Sequence, residues 1–179
     1  SALAEDLLTL ARADAGVIVP RRRHVELGDP VERAVERVRS RAESKQIDLT
    51  LEGDPEISGY WDPDLLEQLA GNLVENAVKC TTPGGHVRVG LASSDGEVGL
   101  EVADTGPGIR EEDRERLFDR FYRADAARAD TEGTGLGLSI VRAIAVAHDG
   151  DVAVENREEG GARFQVRLPI RPEEVPERA

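Results

Sequence analysis

Asp62-Pro63-Asp64-Leu65-Leu66-Glu67-Gln68-Leu69-Ala70-Gly71-Asn72-Leu73-Val74-Glu75-Asn76-Ala77-Val78-Lys79 reads as one amphipathic helix, ended by Thr81-Thr82-Pro83-Gly84-Gly85. Asp at the N-cap and Pro at the first helical position are a strong start signal. Leu65, Leu66, Leu69, Leu73, Val74, Ala77 and Val78 recur at helical spacing and face a core. Asn72, Asn76 and Lys79 stand at i, i+4 and i+7, so they share another face. Two amides and an ammonium in a row can coordinate a hydrated cation and meet phosphate oxygens. The same row also suits a plain solvated face, which is what most amphipathic helices present.

Working outward, the chain alternates single helices with short alternating strands. Residues 1–15 carry Leu3, Leu7, Leu8 and Leu10 near helical spacing, with Gly16 as a stop. His24 to Leu27 is a strand candidate. Asp29-Pro30 opens a helix with Val31, Ala34, Val35, Val38 and Ala42 on one side. Ile47–Leu51 and Ile57–Trp61 read as strands, as do Val87–Leu91 and Val98–Val102, which Ser94-Asp95-Gly96 joins as a hairpin. A helix from Leu136 to His148 follows, then a hairpin of Val152–Val154 and Phe164–Leu168 around Gly160-Gly161, and a charged tail over 170–179. Hairpin-linked strands between single helices predict an α+β two-layer sandwich: a mixed sheet with about three helices on one face, plus an N-terminal helical stub.

Composition narrows the function. The 179 residues are 39% hydrophobic and 33% charged, which suits a domain with a real core. A net charge of −13 is a poor match to general nucleic-acid binding. The single cysteine, Cys80, allows no internal disulfide and suits a reducing, cytoplasmic setting. No apolar run is long enough to span a bilayer. Lysine occurs only at Lys45 and Lys79, against a background of arginine.

Two glycine motifs remain. Asp104-Thr105-Gly106-Pro107-Gly108-Ile109 follows a strand, where a carboxylate can accept from an exocyclic amine and glycines let a flat ring approach the backbone. An ordinary Asp/Gly/Pro turn has the same composition. Gly133-Thr134-Gly135-Leu136-Gly137-Leu138 opens a helix, and bared N–H groups at such a start favour an anion. No Gly-Lys-Ser/Thr follows it and no strand precedes it, so it is neither a Walker A loop nor a Rossmann fingerprint. Between the motifs lies a long polar stretch of the kind that is usually functional.

Taken together, the sequence resembles the ATP-binding catalytic domain of sensor histidine kinases, in the superfamily shared with gyrase B, the Hsp90 chaperones and MutL. Asn72–Lys79 matches its N box, Asp104–Ile109 its G1 box, Leu117-Phe118-Asp119-Arg120-Phe121-Tyr122-Arg123 its F box, and Gly133–Leu138 its G2 box. The resemblance implies a Bergerat fold binding ATP and Mg²⁺. It implies that Asp104 binds the adenine amine, that Gly106, Gly108 and Ile109 line the nucleoside pocket, and that Asn76 ligates Mg²⁺ with help from Asn72. Lys79 would contact phosphates, and Gly133, Thr134, Gly135, Leu136, Gly137 and Leu138 would hold them. Residues 110–132 would form a lid anchored by Phe118 and Phe121, with Arg123 reaching toward the phosphates. Cys80 stands where the family often has an aromatic residue.

The same resemblance implies an acceptor histidine in a helical box, which His24, His86 and His148 do not supply; all three are expected to be structural. Residues 1–16 would end a dimerisation and histidine-transfer helix, and 17–169 would be the catalytic domain. The partners would be ATP, that upstream domain and a response regulator, in a membrane-anchored bacterial homodimer whose catalytic part is cytoplasmic and possesses no nucleic-acid function; the fragment alone would be monomeric. An ATPase, a serine kinase of the anti-sigma type and a degenerate ATP-responsive module share the pocket. The ATPases place a water-activating Glu one turn before the metal-binding Asn, where this chain has Asn72.

Overall fold

The computed structural model describes residues 2–14, 18–123 and 134–171. Along them run α1 (Ala2–Asp14), β1 (Arg23–Glu26), α2 (Gly28–Ser44), β2 (Asp48–Gly53), β3 (Ser58–Trp61), α3 (Pro63–Cys80), β4 (His86–Ser94), β5 (Glu97–Asp104), α4 (Glu111–Arg114), α5 (Gly137–Ala147), β6 (Asp151–Asn156) and β7 (Ala162–Pro169). The order in the main sheet is β2-β4-β5-β7-β6. β2 and β4 are parallel and the remaining pairs antiparallel, so the sheet is mixed, as expected. β1 and β3 form a separate antiparallel pair beside it.

Alternation decides the layers. Val87, Val89 and Leu91 on β4, Val98, Leu100 and Val102 on β5, and Phe164, Val166 and Leu168 on β7 are buried. α3 packs between α2 and α5 and rests on β4 and β5, while α5 reaches β6 and β7. On the opposite face Glu101 pairs with Arg88 at 2.7 Å and with Arg163 at 3.5 Å, and Arg163 pairs with Glu155 at 3.1 Å. The β4–β5 turn has Asp95 at φ 53° and Gly96 at φ 80°, the two left-handed residues a tight hairpin needs.

The caps behave unequally. Asp62 accepts from Asp64 N at 3.1 Å and Leu65 N at 3.3 Å, so it caps α3 as expected. Asp29 does not cap α2, which already begins at Gly28. There Leu27 N donates to Ile57 O at 2.8 Å and Gly28 N to Pro55 O at 3.1 Å, so backbone pairing turns the chain and Asp29 lies in the first turn. α1 is packed against the rest of the domain. Leu10 is buried in the core, α1 packs on α5, and Gln68 of α3 donates to Asp6 at 3.3 Å. Leu7 and Leu8 remain exposed. Among the described residues no helix is long and apolar enough to cross a membrane.

His148 ties α5 to the start of α3. It is 1% exposed; Nδ1 donates to Ile144 O at 2.9 Å and Nε2 accepts from Asp62 N at 3.1 Å. Burial holds its pKa below the ordinary imidazole value, against the raising effect of the Ile144 carbonyl. A base depressed by folding stabilises the fold above its ordinary pKa, and that contribution is lost on acidification. The thermal midpoint should therefore fall as pH drops below about 6.5, because a second ring proton would face the Asp62 N–H. A His148→Gln chain, lower in midpoint throughout, should lack this part of the slope in scanning calorimetry.

Candidate functional site

β5 ends at Asp104, whose side chain is 3% exposed. Oδ1 accepts from Gly106 N at 2.7 Å and Ala162 N at 3.3 Å, while Oδ2 accepts from no other described residue. Arg157 Nη1 donates to the Asp104 carbonyl at 2.8 Å. Burial pushes the carboxyl pKa up, and the Gly106 and Ala162 N–H groups and the Arg157 charge only partly offset it. The result is a buried carboxyl group fixed by one oxygen, with no described partner on the other.

The turn after Asp104 is pressed against the end of α3. A Cβ on Gly106 would lie 2.8 Å from the Cys80 carbonyl oxygen, so only glycine permits that approach. Gly108 has φ +74°. Ile109 is held on both sides by Asn156, donating to Asn156 Oδ1 at 2.8 Å and accepting from Nδ2 at 2.8 Å.

The polar face of α3 runs away from this turn. Asn72 Nδ2 is buried and unpartnered among the described residues. Asn72 Oδ1 lies 3.5 Å from where a Cβ on Gly137 would stand, which places Asn72 at the start of α5. Asn76 is half-buried between these ends. Lys79 Nζ pairs with Glu75 Oε1 at 3.0 Å, and Glu75 also takes Arg41 at 3.2 Å. Eight residues of helix separate Asn72 from Cys80, about 12 Å of rise.

At the start of α5, Gly135 has φ +73°, and a Cβ there would meet the Phe121 backbone at 2.8 Å. Leu136 N donates to Thr134 Oγ1 at 3.4 Å. The Leu136 side chain is fully buried and Leu138 packs on the core, so these two residues offer only their backbone to an anion, beside the exposed Thr134 hydroxyl. Gly133 lies outside the described residues, as do 124–132 of the expected lid.

The described part of that segment is latched. Asp113, 3% exposed, accepts from Arg110 Nε at 2.8 Å and from the Tyr122 hydroxyl. The Arg116 guanidinium sits 4.4 Å from the Tyr122 ring centre. The Arg110 and Tyr122 hydrogen bonds hold the Asp113 carboxyl below the usual carboxylate range. Phe118 packs against the core as expected. Phe121 is not packed on the core among the described residues: its backbone is left-handed at φ 59° and it is 66% exposed. Its contribution is the backbone contact with Gly135. Arg123 is half-buried and has an interaction partner.

Sequence reasoning missed Asn156, Arg157 and Asp113. Asn156 and Arg157 act on residues 47 and 53 positions away, and no local pattern marks them.

Residues 61–172 match the family described as histidine kinase-, DNA gyrase B-, and HSP90-like ATPase. The signal transduction histidine-protein kinase/phosphatase MprB of Mycobacterium bovis is 39% identical over 182 residues, covering 99% of this chain and 35% of that protein. The chain thus spans about a third of the length of this curated relative. Full-length ShkA, solved in complex with AMPPNP, matches with a TM-score of 0.84 at 32% identity, over 99% of this chain and 37% of that one. The histidine kinase ThkA, solved in complex with the response regulator protein TrrA, matches with a TM-score of 0.75 at 26% identity, over 96% of this chain and 49% of that one.

An acid whose pKa is raised by folding stabilises the fold only below its ordinary pKa; ionised at neutral pH, it costs stability. Asp104→Asn keeps the Oδ1 acceptor and removes the buried charge. Its ligand-free thermal midpoint at pH 7 should equal or exceed that of the parent chain. A drop of several degrees would show that the charge itself holds the turn.

Proposed function

This chain belongs to the histidine kinase-, DNA gyrase B-, and HSP90-like ATPase family, and from its site we propose that it is the ATP-binding catalytic domain of a sensor histidine kinase. It would transfer the γ-phosphate of Mg·ATP to a histidine outside these residues. The observation that carries this reading is a pair of unsatisfied polar atoms along one helix: Asp104 Oδ2, at the strand end whose following turn meets the Cys80 carbonyl, and Nδ2 of Asn72, the α3 side chain next to Gly137.

The two ends suit different parts of a nucleoside triphosphate. An adenine amine donates to Oδ2, whereas a guanine carbonyl would set lone pairs against a carboxylate. Gly106, Gly108 and Ile109 give the ring a close backbone wall. Buried Asn72 Nδ2 can donate to a phosphate oxygen, and the N–H groups at the start of α5, from Gly137 on, favour the same anion. Lys79 reaches phosphate by leaving Glu75; a half-exposed pair of this kind contributes about 0–1 kcal/mol, so the exchange is cheap. Asn76 offers one amide oxygen to magnesium, which commonly keeps waters and takes its other ligands from phosphates. Magnesium would supply neutralisation of the charge on the transferring phosphoryl group. Positioning by these residues is then most of the catalysis the chain can provide.

The nucleophile comes from elsewhere. His24 stacks edge-on to Tyr60, His86 faces Asp48 at 3.3 Å, and His148 is enclosed. Water activation is disfavoured, because the residue one turn before Asn76 is Asn72 and Glu75 stays paired with Arg41. In this reading residues 1–16 end the histidine-transfer helices, 17–169 form the catalytic domain with its lid at 110–132, and 170–179 are a tail. The full protein would be a membrane-anchored homodimer that passes phosphate to a response regulator, with this portion in the cytoplasm.

Calorimetric titration should give Mg·ATP binding that weakens when the metal is chelated, and GTP should bind far less well. Radiolabelled ATP should leave no acid-labile label on the chain alone and should label a supplied histidine-bearing dimerisation domain. Asn76→Ala should abolish that transfer, and Asp104→Asn should lower ATP affinity about tenfold or more, the cost of setting donor against donor. Wild-type affinity in Asp104→Asn would remove the adenine assignment.

A further inference from the structure

The turn that would carry the base has no secondary structure of its own beyond Asp104. Residues 105–110 are neither helix nor strand, and Pro107 donates no N–H. What holds them is the tip of the β6–β7 hairpin. Asn156, the last residue of β6, presents a planar carboxamide to Ile109. Its Oδ1 accepts from Ile109 N and its Nδ2 donates to Ile109 O, both at 2.8 Å. The side chain thus pairs with one backbone residue much as a neighbouring strand would.

Three further contacts come from the same tip. Arg157 Nη1 donates to Asp104 O at 2.8 Å, Ala162 N donates to Asp104 Oδ1 at 3.3 Å, and Arg157 N closes the tip on Gly161 O at 3.0 Å. A Cβ on Gly161 would lie 1.9 Å from Asp104 O, and one on Gly108 would lie 3.0 Å from Asn156 Oδ1. The two segments are closely fitted at both ends of the turn, backbone to backbone at Asp104 and backbone to side chain at Gly108.

We propose that Asn156 is a positioning residue for nucleotide binding: its carboxamide fixes Gly108 and Ile109 relative to the Asp104 carboxylate, so that the base meets a preformed wall. This rests on the ATP-binding reading above. The chemistry requires a carboxamide. Aspartate has the acceptor but no donor and would set an anion against the Ile109 carbonyl. Alanine offers neither group. Glutamine carries the amide one methylene too far. Without the clasp, the turn must be ordered by the ligand, and that ordering cost is subtracted from affinity.

Binding is measured by calorimetry with adenosine, Mg·ATP and inorganic triphosphate, at a temperature well below the unfolding midpoint. Asn156→Ala should bind adenosine and Mg·ATP about tenfold more weakly, by the same factor for both, as expected for two modest exposed hydrogen bonds. Inorganic triphosphate should bind unchanged. Asn156→Asp should lose as much as Asn156→Ala. A merely structural role would lower the unfolding midpoint and leave these affinities alone; that result overturns the proposal, as does wild-type affinity in either variant. If the parent chain binds Mg·ATP while the variants equal it, this inference alone fails. If the parent chain binds no nucleotide, the ATP reading fails and takes this one with it.

Discussion

Where α3 ends is set by one ammonium group. Lys45, just past α2, donates from Nζ to Val78 O at 2.7 Å, Thr81 O at 2.9 Å and Lys79 O at 3.0 Å. The last carbonyls of a helix have no partners within it and carry partial negative charge. A lysine has three donors and uses all of them here. Gly84 N on Gln46 O, at 3.0 Å, fixes the next turn to the same corner. Held there, the Cys80 carbonyl defines how closely Gly106 can approach, and Gly106 in turn fixes Asp104 Oδ1. Both lysines of the chain therefore belong to this helix end, one as its clamp and one on its polar face.

The arrangement trades stability for recognition. Two N–H groups satisfy one oxygen of Asp104, but burial still disfavours its charge. Asn72 keeps a buried amide without a partner, and such a group costs about 1–3 kcal/mol. A domain selected only for stability would fill these positions with apolar side chains. Both deficits lie along one helix, Asp104 by the turn that meets the Cys80 carbonyl and Asn72 by the start of α5, and a ligand with a donor at one end and acceptors at the other would relieve them together.

The architecture was legible because its signals are local. Val87–Leu91 and Val98–Val102 alternate on a one-sided sheet, and Asp62-Pro63 both starts α3 and caps it. Of the candidate site, the placement of Asp104 at a strand end with glycines after it was legible, because an apolar alternating run stops at an Asp-Thr-Gly-Pro-Gly turn. What could not be read depends on distant pairing. The reach of Asn156 to Ile109, of Arg157 to Asp104 and of Lys45 to Val78 leaves no periodic trace. Phe121 misled for a different reason: hydrophobicity indicates that a side chain can be buried, whereas the left-handed turn at φ 59° directs it outward. Asp29 misled because the pairing of Leu27 and Gly28 with the 55–57 segment had already set the helix start.

The charged outer surface of the sheet constrains where Asp104 can stand. Val102 pairs with Phe164 on the inner side and Glu101 with Gln165 on the outer side of adjacent strands. A slip by one position would drive Glu101 and Arg163 into the hydrocarbon layer and expel Phe164 from it. Asp104 thus cannot be slid along its strand by small degrees. Divergent descendants of this chain could alter their preference among bases only by exchanging the atoms that surround the carboxylate, never by relocating it.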